Sequence, residues 1–117
     1  MSLPNGDRAI VSLSRLRDYN LNPDHPTGKH KARVLLAALG FTQTDAQRLQ
    51  TILKRIARTH PAIKGDADEY GQRYTIDFEL ENEAGDAIDL RSGWMIDEGE
   101  TVPRCLTVFV VNRKAKK

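Results

Sequence analysis

Within "GKHKAR", residues 28–33, Lys29, His30, Lys31 and Arg33 crowd into five positions. An imidazole among cations suits proton transfer beside an anion. Surrounding positive charge favours its neutral form, and general acid–base assistance by a placed histidine is worth roughly 10²–10⁴-fold. The pattern that follows puts these residues at the start of a helix, where each cation forgoes about 0.3–1 kcal/mol relative to an acid. A phosphate docked at the exposed helix amides would offset that cost. The other reading of a lone histidine at a helix start is structural.

A second set lies far downstream. Arg73, Thr75, Asp89 and Arg91 fall on the polar side of alternating stretches, together with Thr107 and, on one reading, Cys105. Guanidinium groups match phosphate oxygens bidentately, and a threonine hydroxyl can donate to the same anion. Cross-strand pairing of Arg73 and Arg91 with Asp77 or Asp89 is the competing expectation. Pro103 fixes where Arg104 emerges beside the sheet. Cys105 also reads as a small core residue rather than a nucleophile. A metal site would have to recruit His25, His30 and His60 with Asp24, but no Cys pair or H-E-x-x-H pattern supports one, so no metal or other cofactor is expected. Phosphate-cradling glycine motifs and the G-x-S-x-G elbow are missing as well.

These residues need elements to hold them. "AIVSL" at 9–13 reads as a short strand or extended arm, followed by a short helix through Leu16 and Tyr19. Pro23 and Pro26 keep the next stretch extended, and a helix runs from Lys29 to Leu39 with Gly40 as its left-handed cap. Its buried stripe is Ala32, Leu35, Leu36 and Leu39, and its remaining apolar residues suggest cover on more than one face. Thr42 or Thr44 caps a second helix, with Thr44 and Gln47 as a capping box; Ala46, Leu49, Ile52, Leu53, Ile56 and Ala57 form its stripe. The opposite face is basic at Arg48, Lys54, Arg55 and Arg58, which fits nucleic acid or plain solvated surface.

From Tyr70 the period changes to two. Tyr74, Ile76, Phe78 and Leu80 point one way on a first strand, and Ile88, Leu90, Ser92, Trp94 and Ile96 on a second. Arg104 to Val111 is apolar on both faces, as a central strand would be. Tyr74 and Trp94 supply large rings for the core. Helices before strands predict an α+β domain, 1–117, with N-terminal helices packed on one face of an antiparallel meander of three to four strands, and a basic tail at 113–117.

At 117 residues, with 39% apolar and 29% charged content, the chain suits one such domain. The net charge of +2 is too mild to point to nucleic acid by itself. Its distribution says more: bases gather in 29–33 and 48–58, acids in 66–100. No 18-residue apolar run or signal-like segment is visible and only one cysteine is present, which together predict a cytoplasmic protein with no membrane partner.

The segments "LPNGDRAIV", "LRDYNLNPDHPTGKHKARV", "DEYGQRYTIDFEL", "LRSGWMI" and "PRCLTVFV" together resemble a bacterial domain family found at the ends of polymorphic toxins and in phage-associated proteins. Members look like small metal-independent ribonuclease toxins related to barnase and the colicin-type nucleases. The resemblance implies RNA cleavage by 2′-hydroxyl attack on phosphorus, restrained by a cognate immunity or antitoxin protein. It implicates Lys29, His30 and Lys31 in "GKHKA", Arg91 and Trp94 in "LRSGW", and Arg104 and Thr107 in "PRCLT". Relatives often carry a tyrosine after the threonine where this chain has Phe109. On this reading His30, Lys29, Arg91 and Thr107 are catalytic, and Lys31, Arg73 and Arg104 bind substrate. The alternative is a non-catalytic module that binds nucleic acid or a protein through the same cations.

Overall fold

A computed structural model describes residues 2–113, so the basic tail read at 113–117 lies outside it except for Arg113, which ends the last strand. A turn at Gly6–Arg8 leads to a short helix, α1 (Leu13–Arg15), which widens into a π turn over Leu16–Asn20. Then come α2 (Lys29–Leu39), α3 (Ala46–Thr59) and four strands: β1 (Ile63–Asp68), β2 (Gly71–Glu81), β3 (Ala87–Asp97) and β4 (Arg104–Arg113). The strands pair in chain order as an antiparallel meander, giving the expected α+β architecture.

Alternation builds the sheet as the sequence indicates. Tyr74, Ile76 and Phe78 on β2 and Ile88, Leu90, Ser92 and Trp94 on β3 are buried beneath the helices. They join Leu49, Leu53 and Ile56 of α3 and Leu35 of α2 in one core. Burying each such aliphatic or aromatic side chain contributes about 1.5–3 kcal/mol. Trp94 and Ser92 bring polar atoms inside, and these are satisfied in sequence: Trp94 Nε1 donates to Ser92 Oγ at 2.8 Å, which donates to the Ile76 carbonyl at 2.9 Å.

α2 spans the expected residues, and Gly40 closes it at φ 74°, where a side chain would be strained. Its burial differs from expectation: Ala38 joins Ala32 and Leu35 inside, while Val34 and Leu36 are exposed at 46% and 43%. The helix is therefore covered on one side only. The capping box before α3 is Thr42 with Asp45, not Thr44 with Gln47, because a turn of 3₁₀ helix at Gln43–Asp45 precedes α3. There the Thr42 amide donates to Asp45 Oδ2 at 2.8 Å.

β4 is an edge strand, not a central one. The start of that edge is covered by the N-terminal arm, and α2 packs against the strand. Ile10 bridges to Arg104 in parallel, the Cys105 amide donates to the Ile10 carbonyl at 2.9 Å, and Arg15 Nε reaches the Leu106 carbonyl at 2.8 Å. The segment expected as a strand or arm at 9–13 is thus an arm with one bridge. A register shift at Gly93/Trp94 sets Cys105 opposite Trp94 and turns its thiol inward, so Cys105 belongs to the core and not to the polar face.

Candidate functional site

The sheet face opposite the helices carries the arginines that the sequence singles out, and each of them is committed to an aspartate. Arg91 makes a two-pronged pair with Asp77, its register partner on β2, through Nε at 2.8 Å and Nη2 at 3.1 Å. Arg104 holds Asp97 in the same way at 2.7 and 3.0 Å, and Arg73 Nη1 meets Asp68 at 2.6 Å. The guanidinium beside each of Asp68, Asp77 and Asp97 holds that carboxyl below the usual carboxylate range. The hydrogen bonds that Arg91 donates to Asp77 and Arg104 to Asp97 in turn favour the charged form of each arginine. Cross-strand pairing, the competing expectation, is what the sheet displays for Arg91, with Asp77 as partner; Arg73 pairs back across the β1–β2 turn.

Thr107 stands opposite Gly93 with its hydroxyl oxygen buried and without a hydrogen-bond partner among the described residues. A threonine methyl sits 3.2 Å from where a Cβ at residue 93 would be, so a glycine there makes room for it. Burial pushes the Cys105 thiol up to about 12, and the thiol faces the Thr107 carbonyl at 3.6 Å. A neutral, enclosed sulfur of this kind is a packing group.

α2 presents a different picture. His30, Lys31 and Arg33 are exposed and Lys29 is half-buried, and none of the four forms an ion pair among the described residues. The Lys31 ammonium lies 4.4 Å from the centre of the Phe109 ring, a cation–π contact. Phe109 is the register partner of Arg91, so this contact brings Lys31 to the strand pair that holds Arg91. The His30 imidazole makes no hydrogen bond among the described residues.

One residue at this helix start has a role that spacing did not reveal. His25 Nδ1 accepts from the backbone amides of Thr27 at 3.1 Å and Gly28 at 3.0 Å, while its carbonyl accepts from the Lys29 amide at 3.1 Å. The ring is held edge-on against Tyr19, centroids 4.7 Å apart. The amides of Thr27, Gly28 and Lys29 are therefore already satisfied from within the chain. Only the P-x-x turn geometry between Asn22 and Gly28 hints at this in sequence.

Another basic surface lies between the N-terminal turn and α3. Gly6, Asp7, Arg8 and Ala9 face Gln50, Thr51, Lys54, Arg55 and Arg58 across an open depression of about 500 Å³. Arg48 is set apart from it, stacked 5.3 Å from the centre of the Phe41 ring. Among the described residues, no three His, Cys, Asp or Glu side chains are grouped to hold a metal, and no helix is long and apolar enough to cross a membrane.

No curated protein and no solved structure matches the chain. A family model does match, over residues 2–112, and it is described as a domain of unknown function, DUF6883. Since that match takes in every helix and nearly all of the sheet, the chain belongs to the DUF6883 family.

Proposed function

We propose that this domain is a non-catalytic nucleic-acid-binding module that takes an RNA backbone along the cations opening α2. The observation that carries this reading is the Lys31–Phe109 contact, which sets Lys31 against the outer strand pair, while Lys29, Lys31 and Arg33 have no carboxylate partners among the described residues. Unpaired surface ammonium groups gain from phosphate by releasing its counterions, which makes binding fall with salt by about 0.7 in logarithmic slope per contact on single strands. Changing Lys29→Gln and Lys31→Gln together should lower the slope for a mixed-sequence 12-nucleotide RNA by about 1.4, read by fluorescence anisotropy between low and moderate salt. An unchanged slope would remove α2 from the interface.

A metal-independent endoribonuclease is the second reading, favoured by the exposed imidazole of His30, which has no partner among the described residues and sits between two lysines. His30 would act as base or acid on the ribose 2′-hydroxyl, and an active enzyme of this kind would need a cognate inhibitor protein. It asks more of the fold: Arg91, Arg104 and Arg73 would have to leave their aspartates, and the Thr107 hydroxyl would have to become accessible. Total RNA incubated in EDTA separates the readings, since cleavage that His30→Ala abolishes would replace the binding module with an enzyme.

A further inference from the structure

We infer that the depression between the N-terminal turn and α3 is a second phosphate-backbone site, formed by Arg8, Lys54, Arg55 and Arg58. The inference takes its ligand class, RNA, from the reading above, but it rests on different elements.

Four cations and one acid, Asp7, border this depression, and none of the four cations forms an ion pair among the described residues. That is a costly local arrangement. Lys54 and Arg58 are one helical turn apart, where like charges repel by roughly 0.2–0.5 kcal/mol. The negative C-terminal end of α3 compensates Arg58 and, less, Arg55, but it does nothing for Arg8, which comes from another segment. A docked polyanion relieves all four together.

The cluster is also held ready. Gly6 is pressed so closely on α3 that a Cβ there would overlap the Ala57 carbonyl oxygen. Asn5, in the left-handed region at φ 55°, donates from Nδ2 to the Thr101 carbonyl at 2.7 Å, and the Arg8 amide closes the turn on the Asn5 carbonyl at 2.9 Å. The Arg8 backbone is thereby fixed against the helix before any ligand arrives. Its lining contains no aromatic ring on which a base could stack, and the depression is broad and open. Such a surface reads charge along a backbone, not sequence, and it suits a nucleic-acid strand better than a single small anion.

The test uses the whole chain with a fluorescein-labelled mixed-sequence 12-nucleotide RNA. Lys54→Gln with Arg58→Gln should reduce the logarithmic salt slope by about 1.4, with no dependence on RNA sequence and with unchanged circular dichroism. If that pair leaves the slope as it was while Lys29→Gln with Lys31→Gln lowers it, this inference fails and the α2 reading stands. If the α3 pair lowers it and the α2 pair does not, the inference holds and the α2 reading fails. Anionic phosphatidylserine vesicles provide a further arm: vesicle binding by the native chain that equals its RNA binding and is lost in the α3 pair would overturn the assignment to nucleic acid.

Discussion

The outer face of the sheet and the outer face of α3 both carry arginines, and they use them in opposite ways. On the sheet, Arg73, Arg91 and Arg104 each meet an aspartate at hydrogen-bonding distance. On α3, Lys54, Arg55 and Arg58 face Arg8 across a depression with no ion pair among the described residues. A strand register sets residues of opposite charge side by side, so strand arginines are neutralised as the sheet forms. A helix face brings together residues three and four apart, and here that spacing repeats one sign. Arginine content alone therefore does not locate an anion site; what matters is which cations folding leaves unpaired.

The largest expected effect tests whether the sheet side is chemically closed. Burial pushes the Cys105 thiol up to about 12, which leaves far less thiolate at pH 8 than an ordinary cysteine has. Iodoacetamide should label the native protein at pH 8 about 10³-fold more slowly than the protein unfolded in guanidinium, followed by mass spectrometry. Native labelling at the unfolded rate would mean that the Ile10 arm leaves β4 readily and that the strand edge is open to reagents.

Next comes the contact that builds the helix-side cluster. Gly6→Ala places a methyl against the Ala57 carbonyl oxygen, backbone that cannot step aside cheaply, and overpacking of this kind costs about 1–3 kcal/mol. Urea unfolding should show that loss, whereas Arg58→Gln, exposed and unpaired, should stay within about 0.5 kcal/mol. RNA binding reverses the ranking per unit of stability, because Arg58→Gln removes a contact directly. Equal stability for Gly6→Ala and the native chain would show that the turn is not held against α3.

These residues also mark what was legible in the sequence. Period-two alternation from Tyr74 onward, the α3 stripe and the Gly40 cap are local patterns, and each reappears in place. β1 leaves no mark in the sequence, because every residue of Ile63–Asp68 is exposed and no apolar alternation signals it. β4 has the apolar character of a central strand although it is an edge, since the N-terminal arm covers its start and α2 packs against it. The site residues were chosen by type, and type does not report pairing. Arg91 finds Asp77 through a register that only the hairpin defines, and Arg8 reaches α3 through Gly6, some fifty positions earlier in the chain. His25 has the side chain of a metal ligand but serves as an internal cap, since its acceptor geometry depends on a turn with no repeating signature.

The smallest effect is the most direct on the comparison itself. The Arg91–Asp77 pair is half-exposed, with side chains at 44% and 50%, and solvent screening keeps the contribution of such a pair small. Asp77 has a folded-state carboxyl pKa lowered by Arg91 from its ordinary 3.8. Its contribution is therefore present above about pH 4 and is lost as pH falls through the depressed folded value. Asp77→Asn should accordingly be slightly less stable than the native chain at pH 7, with the gap closing below that point as the native carboxyl also takes up its proton. The same substitution releases a guanidinium beside Phe109 and Lys31. If pairing is what keeps the sheet out of the interface, the freed Arg91 should steepen the RNA salt slope by up to about 0.7. A slope that does not move would separate the sheet face from the RNA path altogether and leave recognition to the helical cations.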